Sequence, residues 1–336
     1  MAGRAGPERA RRRATIAPVS EHPVLSLVVP CYNEAAGLAS FWARASDALD
    51  ALGVPAEAVF VDDGSRDATF VVLSALAARD PRVRVVALSR NFGKEIALAA
   101  GLDHALGDAV VPIDADLQHP PELLRDLVAR WREGNDVVIA LRRDRATDSA
   151  PRRLASDLFH RLFARVSVVP IPRGAGDFRL MSRAVVDALG RMPERTRYMK
   201  GMYAWVGFRT ATVDYDVEER AAGDSRFGLL KLWRLALDGI ISFSALPLRL
   251  SSFLGALFAV VALAYGAWLV VRTMVHGIDV PGYASLMAVV LFLGGVQLLS
   301  LGVIGEYLGR VYDEVKARPL YVVRSRLGFP PGGTGT

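Results

Sequence analysis

Two stretches toward the C-terminal end constrain this chain more than anything else in it. Ser251 to Val271 carries no charged residue and is bracketed by Arg249 and Arg272; Val280 to Gly305 is also free of charge. A helix needs roughly 20 apolar residues to cross a hydrocarbon core of about 30 Å, and each stretch is long enough. A buried helix of a soluble protein rarely runs so far uninterrupted. The pattern predicts two transmembrane helices, about 251–272 and 282–305, within a hairpin spanning 251–306. Lys231, Arg234, Arg249, Arg310, Lys316 and Arg318 flank one side of the hairpin, and the link between the spans carries little net charge. By the positive-inside rule the domain before the hairpin and both termini face the cytoplasm, the expected location being the inner (plasma) membrane. Glu306 and Arg310, one helical turn apart, either pair or anchor the end of the second span.

Just before the hairpin, Phe227 to Ala245 is apolar at most positions, with Lys231, Arg234, Asp238 and Ser242 on one polar stripe. That suits a juxtamembrane amphipathic helix, 227–250, lying along the interface; a helix packed on the soluble part is the alternative. The 52% hydrophobic and 23% charged composition fits a soluble part joined to this apolar one. A formal net charge of +6 suits an anionic membrane surface or nucleic acid; the membrane is taken as the partner, with no nucleic acid. Residues 1–22, with Arg11, Arg12 and Arg13 in a row, read as a disordered basic tail rather than a secretory signal. Residues 307–336 read as a cytoplasmic C-terminal tail. A single cysteine, Cys31, excludes an intrachain disulfide and any multi-cysteine metal site.

Between tail and hairpin, residues 23–226 alternate strands with helices. Val24–Val29, Ala58–Asp62, Arg82–Leu88, the run from Ala109 and Asp136–Leu141 read as strands. Ala35–Leu52, with Leu38, Phe41, Trp42, Ala45 and Leu49 at helical spacing, reads as a helix, as do Glu95–Leu106, Pro151–Val166 and Ala184–Arg191. Residues 210–217 alternate enough to be a further strand. This order predicts an α/β, doubly wound, mostly parallel sheet. Polar residues gather after strand ends, where such sheets bind ligands. No G-x-G-x-x-G and no Walker lysine motif is present, so a dinucleotide cofactor is not expected.

The richest of these strand ends is Asp114-Ala-Asp116-Leu-Gln118-His119-Pro-Pro. Asp and Gln oxygens are hard ligands suited to Mg²⁺ or Mn²⁺, and such ions are usually held by a carboxylate or two plus substrate phosphates. A bare D-x-D is more often a solvated acidic turn; the company it keeps changes the reading. Asp67 is placed to cap a helix, Asp62 to cap the turn beside Asp63, and Lys94 either binds phosphate or caps a loop. His119 reads as a packed neighbour more than a metal ligand. Tyr203 and Trp205 read as core or as the wall of a ligand pocket, and Arg143 and Arg145 as a solvated or lipid-facing run.

Taken together, Pro30-Cys-Tyr-Asn-Glu34, Val61-Asp-Asp-Gly-Ser65 and Asp114-Ala-Asp-Leu-Gln-His-Pro120 resemble family 2 glycosyltransferases of the GT-A fold, a Rossmann-like sheet domain. Ser89-Arg-Asn-Phe-Gly-Lys94, Asp279–Met287 and Gly302–Gly309 narrow the resemblance to polyprenyl-phosphate glycosyltransferases, close to bacterial undecaprenyl-phosphate glucosyltransferases and related to dolichol-phosphate mannose synthases. The resemblance covers about 23–323 and is specific for the reaction class, not for the sugar. It implies that Pro30, Tyr32 and Glu34 line the base and ribose site, with Asp63 on the uracil or ribose side. Asp114 and Ala115 then touch the nucleotide sugar, and Asp116 and Gln118 ligate Mg²⁺ or Mn²⁺ through the diphosphate. Arg142 stands where the family keeps a phosphate-binding arginine. Arg220 and Arg226 match a pair closing over the diphosphate, although the family usually has lysine at the second position. Arg152 and Ser156 suit the acceptor phosphate. Asp177 matches an acidic residue near the reacting centre, orienting substrate or acting as base.

The implied reaction is inverting sugar transfer from a nucleoside diphosphate sugar, UDP-glucose first, to undecaprenyl phosphate at the cytoplasmic membrane face, supplying a lipid-linked sugar for cell-envelope glycosylation. Mannose, N-acetylglucosamine and aminoarabinose are the alternative sugars. The resemblance further implies a homotetramer. The competing expectations are a catalytically silent membrane scaffold and a processive polysaccharide synthase; two spans and no Q-x-x-R-W segment speak against the latter.

Overall fold

The computed structural model describes residues 23–142, 175–192, 194–195, 197–215, 246–276 and 282–329. Their order is β1 (Leu25–Cys31), α1 (Leu38–Leu52), β2 (Ala56–Asp62), α2 (Thr69–Arg79), β3 (Val83–Leu88), α3 (Lys94–His104), β4 (Ala109–Pro112), a 3₁₀ turn (Pro121–Leu123), α4 (Leu124–Arg132) and β5 (Val137–Arg142). There follow β6 (Ala175–Ser182), α5 (Arg183–Gly190), α6 (Met199–Trp205), β7 (Thr210–Tyr215), α7 (Leu246–His276), α8 (Tyr283–Val315) and β8 (Val323–Leu327).

The strands form one sheet in the order β7-β5-β6-β4-β1-β2-β3-β8. The pairs β1–β2, β1–β4, β2–β3 and β5–β7 are parallel, as the alternation of strands and helices requires. The pairs β3–β8, β4–β6 and β5–β6 are antiparallel. This is a GT-A sheet, mostly parallel. The chain runs β1 to β2 to β3 in one direction, then returns to place β4 on the other side of β1. The gap beyond β1 and β4 is therefore the topological switch point, where an open α/β sheet leaves a crevice.

Apolar residues alternate along the strands and build a core on each face. On one face Leu25, Leu27 and Val29 pack with Phe41, Trp42, Phe60 and Leu124, under α1 and α4. On the other, Val28, Val59, Val61 and Val86 pack with Leu98, Val185 and Met199, under α3, α5 and α6. The residues that helical spacing marks as the inner face of α1 (Leu38, Phe41, Trp42, Ala45 and Leu49) are the ones it buries.

Two elements differ from the sequence reading. Asp177 to Met181 lies in β6, a strand that the sequence does not announce because Gly176, Asp177 and Arg179 interrupt any apolar run. The larger difference is at the C-terminus. Residues 307–336 are not simply a tail: α8 continues to Val315 and β8 then pairs antiparallel with β3, Val85 opposite Leu327 and Leu88 opposite Val323. β8 is short, lies at a sheet edge and carries two arginines, so it shows no hydrophobic run. The 1–22 tail and most of the 227–250 helix lie outside the described residues.

Helices α7 and α8 contain the only stretches among the described residues long and apolar enough to cross a membrane, Ser251–His276 and Phe292–Val315, and neither is buried inside the protein. At about 1.5 Å per residue, the 31 residues of α7 reach about 46 Å. Phe258 and Phe292 meet edge to face at 5.2 Å between the two helices. Phe253, Val260, Trp268, Leu286, Leu298 and Leu301 point outward. So large an uncovered apolar surface marks contact with lipid or another protein. Arg310 and Glu306 form an i,i+4 pair at 3.4 Å. A two-helix hairpin returns the chain to the side it left, which is what β8 needs to rejoin the sheet.

Candidate active site at the carboxyl edge of the sheet

The loops after β1, β2, β3 and β4 lie along one edge, because these four strands are parallel. β6 runs the other way, so its first residues come to that same edge. Asp177 thus joins a site otherwise built from strand ends.

The first two loops are stapled together. The Asn33 backbone N–H donates to Ser65 Oγ at 3.0 Å, and Arg66 N–H donates to Asn33 Oδ1 at 2.9 Å. Glu34 N–H donates to Thr69 Oγ1 at 2.9 Å and Ala35 N–H to Asp67 Oδ2 at 3.2 Å. Asn33 holds φ 57°, a left-handed conformation that Asn tolerates. Tyr32 is left 41% exposed beside these loops, and Pro30 and Glu34 are half-buried.

Asp62 and Asp63 have different jobs. Asp62 is fully buried; its Oδ1 accepts from Ser65 N–H at 3.0 Å, the turn cap expected of it, and its Oδ2 lies 3.5 Å from Arg324 of β8. Asp63 accepts from the N–H groups of Phe92 and Gly93, at 2.7 and 2.9 Å. Burial raises its carboxyl above the usual range, with these two N–H groups opposing. Asp63 therefore fixes the backbone of the Asn91-Phe-Gly-Lys94 loop. Gly64, at φ +65°, is where that loop passes, with Asn91 N 2.5 Å from where a Cβ would stand.

Lys94 opens α3 and turns into the site. Its Nζ lies 2.7 Å from each oxygen of Asp114 and 3.2 Å from Asp177 Oδ2. Desolvation of the ammonium is outweighed by the two carboxylates, which raise its pKa above that of an ordinary lysine. Asp177 is pushed up by burial but held below the usual carboxylate range by Lys94 first, then by Lys200 and Arg179. Its Oδ1 is buried with no hydrogen-bond partner among the described residues. Next to Lys94, Glu95 accepts from Met199 N–H at 3.2 Å, and burial, with Asp177's charge, pushes its carboxyl up to about 7.

In the loop after β4, Leu117 holds φ 59° and the Gln118 N–H closes onto Asp116 Oδ1 at 3.0 Å. A non-glycine residue held there costs on the order of 1–3 kcal/mol, and such strain gathers at functional sites. Ala115 is buried, whereas Asp114, Asp116 and Gln118 are half-buried. His119 stacks on Phe178 at 5.0 Å and shares a 2.7 Å hydrogen bond with the Tyr215 hydroxyl; burial lowers its pKa. It is a packed neighbour, as the sequence suggests. Tyr203 is core, with Arg179 over its ring at 4.1 Å, while Trp205 is largely exposed. Arg142 is the last residue of β5, in register with Tyr215. Arg143, Arg145, Arg152, Ser156, Arg220 and Arg226 lie outside the described residues.

The structure thus brings together Lys94, Asp114 and Asp177, sets Asp63 on the backbone just before Lys94, and leaves Asp116 and Gln118 on the loop that follows Asp114. Sequence reasoning missed Glu95 and Arg179. Glu95 is hidden as one more polar residue at a helix start, and Arg179 inside an unrecognised strand. Among the described residues no group of three or more His, Cys, Asp or Glu side chains is placed to hold a metal ion alone.

Residues 26–190 match the model for glycosyl transferase family 2, and residues 246–311 match the GtrB C-terminal hairpin. An uncharacterized glycosyltransferase, sll0501, of Synechocystis is 51% identical over 305 residues, 91% of this chain and 96% of its own length. An SfII prophage-derived bactoprenol glucosyl transferase of Shigella flexneri is 48% identical over 307 residues, 91% of this chain and 99% of that protein. Among solved structures, mannosyl-3-phosphoglycerate synthase from Rubrobacter xylanophilus aligns over 68% of this chain and 75% of its own at 21% identity, with a TM-score of 0.46, too loose to carry any residue across. With relatives this similar along nearly their whole length, the chain belongs to glycosyl transferase family 2, joined to a hairpin of the GtrB type.

Proposed function

We propose that the protein transfers glucose from UDP-glucose to undecaprenyl phosphate at the cytoplasmic face of the plasma membrane. One observation carries this function: a strand-edge site with ion-paired carboxylates and an apolar hairpin occur in one chain, which is 48% identical over nearly its whole length to a protein named bactoprenol glucosyl transferase. The hairpin answers the acceptor's chemistry. An undecaprenyl tail stays in the bilayer while its phosphate reaches a site just outside it.

In this assignment Pro30, Tyr32 and Glu34 line the base and ribose, with Asp63 on that side holding the loop that carries Lys94. Asp114 and Ala115 adjoin the sugar. Arg142, Arg220 and Arg226 are assigned to the diphosphate, Arg152 and Ser156 to the acceptor phosphate. The residues present fit a divalent cation that arrives with the nucleotide: Asp116 and Gln118 offer hard oxygens, and Mg²⁺ or Mn²⁺ needs only one or two carboxylates when substrate phosphates complete its shell. When bound, such an ion offsets the charge that builds on the departing diphosphate. Asp114, occupied by Lys94, is not among those ligands.

The acceptor phosphate has a second pKa of about 6 by analogy with phosphorylated side chains, so it is largely dianionic at neutral pH. Its oxygen attacks the anomeric carbon, the bond from that carbon to the diphosphate breaks, and UDP leaves with the electron pair. No proton has to be removed from the nucleophile. A carboxylate held below its usual pKa is a poor proton acceptor. Asp177 therefore orients the sugar and steadies positive character at the anomeric carbon.

The test uses purified protein, radiolabelled UDP-glucose, undecaprenyl phosphate and Mg²⁺ or Mn²⁺. Label is expected in the organic phase with wild type and at under about 1% of that level with Asp116→Ala, since one lost electrostatic group in such a site costs on the order of 10²–10³. A folded wild type that yields no lipid-extractable label with any UDP- or GDP-sugar sinks the transferase reading and favours a silent scaffold. Near-normal turnover by Asp116→Ala removes that residue from the metal site.

A further inference from the structure

We propose that Lys94 is a positioning residue of the transfer site: its ammonium bridges Asp114 and Asp177, so that one oxygen of Asp177 is held and the other is left for the sugar. The inference deepens the glucosyl transfer proposed above and rests on it.

The three residues come from three different elements. Asp114 follows β4, Asp177 lies near the start of β6 and Lys94 opens α3. The antiparallel pairing of β4 with β6, Val110 opposite Met181, brings the two backbones alongside each other, but two like-charged side chains placed so would repel. The lysine holds them together, with Nζ 2.7 Å from both oxygens of Asp114 and 3.2 Å from Asp177 Oδ2. Asp177 Oδ1 remains buried and without a hydrogen-bond partner among the described residues. A buried carboxylate oxygen in that condition is costly unless a ligand completes it. Arg179 is engaged elsewhere, since its Nη2 donates to the Gly176 carbonyl at 2.6 Å and its guanidinium lies over the Tyr203 ring.

Lys94 is itself held in place from behind. Asp63 accepts the N–H groups of Phe92 and Gly93, and Gly93 takes φ 99°, which turns the chain into α3. The Val61-Asp-Asp-Gly-Ser65 loop therefore sets the lysine, and the lysine sets the two carboxylates. A lysine meant to grip a diphosphate would present unspent charge. This one already faces two carboxylates, and the trio carries a net negative charge. Its work is to hold oxygens, not to bind an anion.

The experiment is a double-mutant cycle on the full chain with Lys94→Met and Asp177→Asn, read by steady-state transfer and by thermal unfolding. Lys94→Met is expected to lower kcat about 100-fold, the order of loss from a misplaced reacting group, with the KM for UDP-glucose changed less than about 3-fold. Lys94→Arg is expected to restore at least a tenth of the wild-type rate. A raised donor KM with kcat retained would make Lys94 a diphosphate ligand and overturn the proposal, as would an unchanged kcat. The unfolding arm needs no activity. Lys94→Met is expected to lower the midpoint by several degrees, and adding Asp177→Asn to recover half or more of it, because neighbouring sites couple; strictly additive losses would contradict the bridge. If Lys94→Met does not fold, Lys94→Gln carries the same cycle. A wild type that makes no lipid-linked glucose defeats the glucosyl transfer reading, and the unfolding cycle still decides the bridge.

Discussion

Glu95 shows what a half-buried acid does when its neighbours are already committed. Lys94, adjacent in sequence, is spent on Asp114 and Asp177, so Glu95 has the Met199 N–H as its short-range partner. Its carboxyl is pushed from 4.5 to about 7 by burial first and by Asp177 second. The folded state then binds a proton that the unfolded state releases near 4.5. Its contribution to stability is greatest below that pH and is lost as pH rises through about 7, and a displacement of one pH unit corresponds to about 1.4 kcal/mol. Glu95→Gln keeps an acceptor for Met199 but has no proton to lose. Thermal unfolding between pH 5 and 8 should therefore show a weaker decline for the variant than for wild type; parallel curves would mean Glu95 is charged throughout. The same residue marks a limit of sequence reasoning. Asp114 and Asp116 stand out by their motif, and Asp177 by the family resemblance. Glu95 needs the fold, because only the meeting of α6 with α3 at Met199 takes its carboxyl out of water.

Elements legible from periodicity are those with one clear face. The buried side of α1 and the strands β1 to β5 are readable because each has a helical stripe or a continuous apolar run. β6 and β8 are not, for opposite reasons. β6 carries Gly176, Asp177 and Arg179 because its start belongs to the site. β8 sits at an edge and bears Arg324 and Arg326, the former against buried Asp62. A turn glycine is readable in kind but not in consequence. Gly64 follows a strand end at φ +65°, as a turn glycine does; its closer constraint is the Arg90–Asn91 backbone lying where a Cβ would go. Gly64→Ala meets both a positive φ and that backbone, a combination expected to cost on the order of 2–4 kcal/mol. It should also displace Lys94, so transfer should fall further than the lowered unfolding midpoint explains at assay temperature. Wild-type stability and rate in Gly64→Ala would show that the two loops do not depend on each other.

At the scale of the molecule, the chain leaves the sheet domain, runs through two long apolar helices and returns to add β8 beside β3. The return ties the end of the hairpin to the sheet domain: Tyr321 donates to Asp103 at 2.9 Å, Arg324 faces Asp62, and Glu314 at the end of α8 accepts from Arg195 N–H at 2.7 Å. The hairpin is plain in the sequence, because so long a run without charge suits a bilayer and little else. The return is hidden, because five residues at a sheet edge carry too little hydrophobic signal. A site tied in this way to a membrane hairpin suits direct attack by a lipid phosphate on a sugar donor, with Asp177 held as a fixed charge and not as a nucleophile. The anomeric configuration of the purified lipid product, read by NMR from the H1–H2 and H1–phosphorus couplings, tests that claim most directly. Direct displacement on α-linked UDP-glucose predicts a β-glucosyl phosphate ester of the polyprenol; an α-linked product would require a covalent intermediate or a different centre, and would contradict the account.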